Sequence, residues 1–310
     1  MSKPRIKLIM NPNADMGNAW KYASDLRHLF EGFSEAHWSG TVYPTHAEEL
    51  AKQAAEEGYD IVVAMGGDGT AHEVINGLME VPAEQRPVFG IIPLGSGNDF
   101  SANVGNTRDA DKAVQAILDG HTKKIDLALI EDDTGRKEYW DNTANIGFGG
   151  SVNYYSHKLP ILRGFVMYLV AVLQTIFSKY VVLKCKFVTD EKEWEDETIM
   201  IALNNGPREG GGFHTGPHAV MDDGVLNYTI ARKISRLKML MLLPAFMNGT
   251  QEKDKDVYMG TFKKMEIDSD KPLYLHADGE QFAGFTHNIH RLTIEIIPGA
   301  LEVIVPKDSL

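Results

Sequence analysis

In the first third of the chain, one pattern of apolar and polar positions repeats: an uninterrupted apolar run, a loop rich in Gly, Asn or Asp, and apolar residues at helical spacing. The apolar runs are 6–10, 61–65 and 88–92, and helical spacing follows the first two over 19–30 and 74–79. Continuous apolar strands that alternate with helices are typical of a parallel sheet covered on both faces. The pattern predicts an α/β domain that binds ligands beyond the carboxyl ends of its strands.

Farther along the chain, apolar residues alternate strictly with polar ones. This alternation covers 183–187, 292–296 and 301–305, and Pro298-Gly299 separates the last two stretches. A period of two predicts antiparallel strands with one exposed face, and a Pro-Gly pair predicts a turn. This part of the chain should therefore form hairpins.

The change of pattern predicts two domains within the α/β fold class. Residues 1–125 should form an N-terminal domain with a parallel sheet, and residues 126–303 a β-rich, largely antiparallel second domain. The C-terminal residues 304–310 could return to the first domain. A length of 310 residues agrees with two domains, at about 150 residues each.

Composition narrows the classes of function. The chain carries 43 acidic and 31 basic side chains, a net charge of −12, and no run of clustered Lys or Arg. Binding to nucleic acid needs a basic surface, so we expect no nucleic-acid partner. Cys185 is the only cysteine, which excludes an internal disulfide and a Cys-rich zinc site, and we expect it in a buried strand.

The sequence favours a location in the cytoplasm. The most apolar segment, residues 164–177, is shorter than the about 20 residues that a transmembrane helix needs. The apolar run at the N terminus is too short and interrupted for a signal peptide. We therefore expect a soluble protein in a reducing compartment.

The segment Gly66-Gly67-Asp68-Gly69-Thr70 is the most informative loop. Its glycines let backbone N–H groups approach a ligand, and a helix that starts at such a loop offers an anion site suited to phosphate. Thr70 and Glu73 have the spacing of a capping box, which predicts the start of that helix. A carboxylate beside phosphates suggests metal-assisted phosphoryl chemistry. A tight turn in which Asp68 makes only a local hydrogen bond remains open.

Two common nucleotide-binding signatures are missing. The sequence contains neither GxxxxGK[ST] nor GxGxxG. Their absence argues against a P-loop enzyme and against a dinucleotide oxidoreductase.

Several motifs together resemble the diacylglycerol kinase catalytic-domain family, which includes bacterial lipid kinases and sphingosine-kinase-like enzymes. They are GGDGT at 66–70, PLGSGNDF at 93–100 and DGE at 278–280, with shorter pieces such as Asn11-Pro12 in the same order. The combination is specific, although GGDGT alone also occurs in NAD kinases and phosphofructokinases.

The resemblance implies an active site in the cleft between the two domains. In similar enzymes, residues at matching positions hold ATP. Here these are Asn11, Thr41, Gly66, Gly67, Asp68, Gly69, Thr70, Ser96 and Asn98. Ser96 replaces the usual Thr and should keep the hydroxyl.

The resemblance also implies catalytic and metal-binding roles. Glu280 matches the catalytic base, and Asp68 matches a residue of the Mg²⁺ and water network. A structural Mg²⁺ in bacterial members would fall on the carbonyls of Val220 and Val225 and on the carboxylate of Asp223.

The function implied is an ATP- and Mg²⁺-dependent lipid kinase that phosphorylates a lipid hydroxyl, with diacylglycerol as the favoured acceptor and phosphatidic acid as the product. Such an enzyme should touch the membrane transiently and peripherally, through apolar or locally basic surface. The sequence does not decide whether the protein forms a homodimer. Two other functions also remain open: a kinase of a soluble metabolite, as in NAD kinase, and a non-catalytic nucleotide-binding regulator of lipid metabolism.

Overall fold

The chain folds into two compact units. The first unit comprises residues 1–125 together with 299–310, and the second comprises residues 126–298. The computed structural model describes residues 3–105, 109–159, 164–210 and 212–309.

Strands and helices alternate along the first unit, as the apolar pattern predicts. The strands are β1 (Arg5–Met10), β2 (Glu35–Gly40), β3 (Ile61–Gly66), β4 (Val88–Pro93) and the beginning of β5 (Thr122–Asp132). The helices are α1 (Ala14–Gly17), α2 (Ala19–Leu26), α3 (His46–Glu56), α4 (Asp68–Met79), α5 (Asp99–Asn103) and α6 (Ala110–Asp119).

The sheet of the first unit is parallel, with the strand order β4-β3-β1-β2. Its central strands are buried on both faces, and Val62, Val63 and Ala64 have no exposed surface. Strands with helices on both sides need apolar residues at consecutive positions. The prediction of a covered parallel sheet is confirmed, and the carboxyl ends of the four strands lie at one edge.

Close packing of α3 on α4 fixes the helix that follows β3. A Cβ at Gly77 would lie 2.1 Å from the carbonyl oxygen of Glu48, so glycine is needed there. The face of α3 toward the core consists of alanines, which allow this approach. They are Ala47, Ala51, Ala54 and Ala55.

The helix expected over 19–30 is shorter than its apolar pattern. The α-helix ends at Leu26 and continues as a 3₁₀ turn over Arg27–Gly32. A 3₁₀ turn has three residues per turn rather than 3.6, so later side chains rotate away from the expected face. As a result, Phe30 is buried and Leu29 is exposed.

The second unit is rich in strands. Its remaining strands are β6 (Lys137–Trp140), β7 (Thr143–Gly147), β8 (Leu183–Thr189), β9 (Glu193–Asn204), β10 (Leu226–Arg232), β11 (Val257–Phe262), β12 (Lys264–Ser269), β13 (Leu275–Ala277), β14 (Glu280–Ala283) and β15 (Arg291–Ile304). Its helices are α7 (Phe148–Ser156), α8 (Gly164–Ser178) and α9 (Arg236–Asn248).

Most strand pairs of this unit are antiparallel. The order β14-β13-β7-β9-β8-β12-β15 is antiparallel throughout, and β10 pairs in the same sense with β9 and β11. On β8, Cys185 is buried between the exposed side chains of Lys184 and Lys186. The alternating pattern and the buried cysteine are therefore confirmed. Burial raises the pKa of the Cys185 thiol to about 12.

The prediction of a turn at Pro298-Gly299 is wrong. β15 runs through both residues without reversing, and Gly299 has a φ of 58° inside the strand. A glycine with positive φ bends a strand locally. The strand pairs antiparallel with β12 before this point and parallel with β4 at Val303 after it. The C-terminal segment that belongs to the first unit therefore starts at residue 299, whereas the sequence suggested residue 304.

The apolar residues from Leu162 to Ser178 predict a helix that either packs in the core or meets lipid. The structure shows this helix as α8 from Gly164, and Leu162 lies outside the described residues. Within the described part of the chain, no helix combines the length and the hydropathy needed to cross a bilayer.

Candidate functional site

Four loops meet at the carboxyl edge of the parallel sheet in the first unit. The backbone N–H of Asn11, after β1, donates to Met65 O at 3.0 Å, and that of Thr41, after β2, donates to Met10 O at 2.8 Å. The N–H of Leu94, after β4, donates to Gly66 O at 2.7 Å. Neighbouring loops are thus joined by backbone bonds, and the structure brings together the expected ATP-binding residues.

The two glycine loops touch backbone to backbone. A Cβ at Gly95 would lie 2.4 Å from the Cα of Gly67 and 2.8 Å from Asn98 Oδ1. A Cβ at Gly66 would lie 2.3 Å from the hydroxyl oxygen of Thr70. A side chain at either position would force the neighbouring residues to move, so packing alone requires glycine there.

Asp68 links the first glycine loop to α5. Its Oδ1 accepts a 3.0 Å hydrogen bond from the backbone N–H of Phe100, and its Oδ2 would lie 2.8 Å from a Cβ at Gly97. The carboxylate is half-buried at the first residue of α4. It therefore stands beside the N-terminal amides of two helices, where negative charge is stabilised.

The predicted capping box of Thr70 and Glu73 is wrong. The helix begins at Asp68 with Gly67 as its N-cap, so Thr70 already lies inside it. Glu73 instead accepts hydrogen bonds from the backbone N–H groups of Thr45, at 2.9 Å, and Ala47, at 3.1 Å. It caps the start of α3, because α3 packs against α4 and presents its first amides to Glu73.

Asn98 shapes the second glycine loop. Its Oδ1 accepts from Gly95 N at 2.9 Å, and its Nδ2 donates to Gly95 O at the same distance. These bonds close the loop and leave Ser96 exposed at its tip. Asn98 is thus a positioning residue for the loop, whereas Ser96 is exposed.

Backbone strain occurs at Asn98 and close in sequence to other expected site residues. Among the described residues, non-glycine residues with positive φ are Asp15, Met16, Thr45, Asn98 and Asp278. Asp15 and Met16 lie in α1, a short turn after β1 with non-helical dihedral angles at both residues. Thr45 and Asn98 lie in the loops after β2 and β4, and Asp278 lies two residues before Glu280. Such conformations persist only where surrounding contacts enforce them, and they cluster at functional sites.

Glu280 follows a tight hairpin turn in the second unit. Asp278 and Gly279 have φ values of 50° and 88°, as in the two-residue turn that Asp-Gly favours. Ala277 pairs with Glu280 across this turn, and the Glu280 side chain is exposed. The turn thus presents the carboxylate to solvent from a rigid β-hairpin.

The carboxylate of Asp278 anchors this turn, a role that the sequence reasoning missed. It accepts hydrogen bonds from the backbone N–H groups of Asp141, Asn142 and Thr143 at 2.8–3.0 Å. Asn153 on α7 donates to Gly279 O at 2.6 Å. The signal in the sequence was an Asp at the first position of a two-residue turn, where its side chain can serve a distant segment as well as its own backbone.

His276 is buried behind the same turn. Its Nδ1 accepts a 3.2 Å hydrogen bond from the backbone N–H of Gly279, so this nitrogen carries no proton. Desolvation is the main cause that lowers the pKa of His276 to about 4; the charge of Asp278 opposes this shift, and that of His157 contributes to it. The folded protein therefore holds His276 neutral over the physiological range.

The expected structural metal site lies in the turn before β10. Asp223 and Val225 are joined by a bond from Val225 N to Asp223 Oδ1 at 3.1 Å, and Val220 is exposed. Partial desolvation raises the pKa of Asp223, and the carboxylates of Asp126 and Asp222 raise it further, against the bond from Val225. A divalent cation would relieve this repulsion, and carboxylate and carbonyl oxygens are ligands that Mg²⁺ accepts, so the donor set fits.

Asp126 was not expected at this site. It is buried in β5 between Ile125 and Leu127, and its Oδ2 accepts from Gly224 N at 2.7 Å. A single acidic residue inside an apolar strand was the available signal, because a buried carboxylate needs partners.

Two family models match the chain and together cover most of it. Residues 5–130 match the diacylglycerol kinase catalytic domain, and residues 142–305 match the YegS C-terminal NAD kinase beta sandwich-like domain. These matches confirm the resemblance noted in the motifs.

Similar proteins carry a related description. A protein named probable lipid kinase YegS-like, from Yersinia enterocolitica, is 30% identical over 315 residues, which cover 98% of each chain. A protein of the same name from Chromohalobacter salexigens is 31% identical over 263 residues, which cover 84% of this chain and 80% of the relative.

Two crystal structures from Bacillus anthracis share the fold along the whole chain. One has a TM-score of 0.83 at 23% identity and covers 100% of this chain and 98% of its own. The other, described as a diacylglycerol kinase, has a TM-score of 0.76 at 22% identity and covers 100% of both. At these identities the likeness concerns the fold, and it confirms the predicted fold class.

We expect His276 to make the protein less stable as the pH falls from about 6.5 toward about 4. The unfolded chain binds a proton at a pKa of 6.5 and the folded chain at about 4, so protons favour unfolding in that window. Urea unfolding at about pH 7 and about pH 5 should show a pH-dependent loss that is about 2 kcal/mol smaller in His276→Gln than in the wild type.

The exposed His28 provides the control for this measurement. His28→Gln should keep the pH dependence of the wild type. An unchanged pH dependence in His276→Gln would contradict the assignment of a neutral, buried His276.

Proposed function

We propose, from the premise that this chain belongs to the family of YegS-like lipid kinases with a diacylglycerol kinase catalytic domain, that it transfers the γ-phosphoryl group of ATP to a lipid hydroxyl. Diacylglycerol is the favoured acceptor and phosphatidic acid the product. The observation that carries the nucleotide half of the proposal is the contact between the Gly67 and Gly95 loops at the edge of the parallel sheet.

The first unit has the groups that an ATP phosphate chain needs. α4 begins at Asp68 directly after two glycines, so its first amides can approach a phosphate closely. Ser96 offers a hydroxyl at the tip of the second loop. The backbone bonds between the loops hold these donors in place before the nucleotide arrives, which lowers the ordering cost of binding.

Asp68 fits a role in metal-assisted transfer. A carboxylate among phosphate-binding amides repels a nucleotide unless a cation lies between them. Mg²⁺ bound with ATP would neutralise charge that develops on the phosphoryl oxygens. Asp68 would orient a water or a ligand of that ion, while Phe100 N keeps its carboxylate fixed.

Glu280 is the candidate general base. A lipid hydroxyl is a weak nucleophile at neutral pH, and a carboxylate that accepts its proton during attack typically contributes about 10²- to 10⁴-fold in rate. The exposed side chain and the anchored turn support this role, because a base must be both accessible and fixed. Transfer requires the acceptor hydroxyl to reach the nucleotide while Glu280 accepts its proton.

One observation favours a second candidate function. The match of residues 142–305 to an NAD kinase beta sandwich-like domain would also suit a kinase of a soluble hydroxylated metabolite. The two candidates differ in the acceptor that becomes labelled. ATP binding without transfer to any acceptor would favour a non-catalytic regulator instead.

We expect the purified protein to transfer label from γ-labelled ATP to a lipid in mixed micelles. The panel should contain diacylglycerol, monoacylglycerol, a sphingoid base, ceramide and an isoprenoid alcohol, with NAD as the soluble acceptor. Glu280→Gln and Asp68→Asn should each lower the transfer rate by about 10²- to 10⁴-fold without changing the unfolding midpoint.

A matched control is Glu191→Gln, which changes an exposed glutamate in the turn between β8 and β9. It should transfer phosphate at the wild-type rate. If Glu280→Gln transfers phosphate at the wild-type rate, Glu280 is not the general base. If only NAD becomes labelled, the enzyme phosphorylates a soluble acceptor and not a lipid.

We expect Mg²⁺ to stabilise the second unit through Asp223. A ligand that binds only the folded state raises its stability with concentration. The melting temperature of the wild type should therefore be higher with Mg²⁺ than with chelator, and Asp223→Ala should lose this difference. Glu191→Ala should retain it, and identical melting of the wild type under both conditions would rule out the structural ion.

A further inference from the structure

Acidic side chains are missing from two long segments of the sequence. Residues 142–189 and 224–251 contain no Asp or Glu, although the chain has 43 such residues. These segments include the helices α7, α8 and α9 of the second unit. The net charge of −12 therefore comes from other parts of the chain: α7 and α8 carry no charged residue, and α9 carries only the basic Arg236 and Lys238.

Helix α9 is apolar on its outer side as well as its inner side. Met239, Leu242 and Phe246 are buried against the core of the second unit. Leu237 and Met241, one turn apart, have relative exposures of 67% and 61%. A core-packed helix needs only one apolar face, and adjacent exposed apolar side chains mark an interaction site.

The end of α8 adjoins the start of α9. The hydroxyl of Tyr180 donates to Ile234 O at 2.7 Å, and the guanidinium of Arg236 lies 5.7 Å from the centre of the Tyr180 ring. Phe177, near the end of α8, is 65% exposed. The residues that are exposed at this junction or border it are Phe177, Tyr180, Arg236, Leu237 and Met241. We call them the docking patch.

The positive charge of the docking patch, on Arg236, lies at an unfavourable position in the dipole of α9. Arg236 is the first residue of α9, where the helix dipole disfavours a cation. Nearby, Lys238 pairs with Asp254, and Arg232 pairs with Asp196. Within the described ranges, Arg236 has no carboxylate at ion-pair distance. It is therefore available to an anion from outside the chain.

We propose that the docking patch binds the surface of a bilayer that contains anionic lipids. Leu237, Met241 and Phe177 would enter the headgroup region, and Arg236 would lie at the level of the lipid phosphates. A helix with large apolar side chains and flanking cations binds such surfaces in the plane of the interface. The inference rests on the proposed function, because a lipid acceptor resides in a bilayer.

The charge pattern favours a bilayer over a second copy of this chain. A symmetric dimer through the patch would bury the same apolar residues, but the acid-free helices offer Arg236 no carboxylate partner. An anionic lipid supplies that partner, and the lack of acidic side chains on these helices limits repulsion of the acidic protein from the membrane.

Vesicle flotation tests the proposal directly. Wild-type protein should bind vesicles of phosphatidylcholine with phosphatidylglycerol more strongly than vesicles of phosphatidylcholine alone. Leu237→Ser/Met241→Ser should weaken binding to both by at least about tenfold, because the buried apolar area falls. Arg236→Glu should weaken binding only to the anionic vesicles, and high salt should abolish its effect. Phe177→Gln, on the other helix, should weaken binding even if the double variant fails to fold.

The control is Leu29→Ser/Leu118→Ser, which removes exposed leucines of the first unit and should bind like the wild type. Loss of binding in this control, wild-type binding by the patch variants, or no binding by the wild type would overturn the proposal. So would a shift from dimer to monomer in Leu237→Ser/Met241→Ser with vesicle binding unchanged.

Phosphate transfer to a water-soluble short-chain diacylglycerol separates this inference from the proposed function. The patch variants should keep the wild-type rate with that acceptor and lose rate only with vesicle-embedded diacylglycerol. Absence of transfer by the wild type to any lipid would refute the kinase proposal, while flotation would still decide on the patch.

Discussion

The candidate nucleotide site of the first unit depends on the contact between the backbones of Gly67 and Gly95. A side chain at position 95 would stand 2.4 Å from the neighbouring Cα, which no rotamer can relieve. The bond from Leu94 N to Gly66 O and the bond from Phe100 N to Asp68 join the same loops. These protein contacts thereby fix the starts of α4 and α5, which carry the amides that would hold a phosphate chain.

In the second unit, the turn before Glu280 is likewise fixed by hydrogen bonds within the protein. Three backbone amides bind the carboxylate of Asp278, and a neutral His276 accepts from the next residue of the turn. The strain of a positive φ at Asp278, of the order of 1–3 kcal/mol for such a residue, is offset by these bonds. Both candidate sites therefore depend on tight turns that are stabilised by buried hydrogen bonds rather than on flexible loops that close on a ligand.

The structural features that could be predicted from the sequence are those that depend on the local pattern of residues. The parallel strands, the glycine loops and the alternation around Cys185 all follow from residue type and spacing over a few positions. The partners that secure these loops come from far along the chain and were missed. Glu73 caps α3 by accepting from the N–H of Thr45, 28 residues earlier, and Asp126 accepts from the N–H of Gly224, beside Asp223, across 98 residues. The path of β15 through Pro298-Gly299 likewise depends on its pairing with β12 and then β4, which local turn propensity does not contain.

Binding of ATP to Gly95→Ala, measured by calorimetry, tests the central claim most directly. If the contact between the glycine loops forms the nucleotide site, this variant should bind ATP at least about tenfold more weakly, or by about 1.4 kcal/mol, because the new methyl group forces the loops apart and displaces their amides. Gly32→Ala, whose new methyl group meets nothing within 4 Å, should bind ATP like the wild type. A folded Gly95→Ala protein that binds ATP with wild-type affinity would contradict the account.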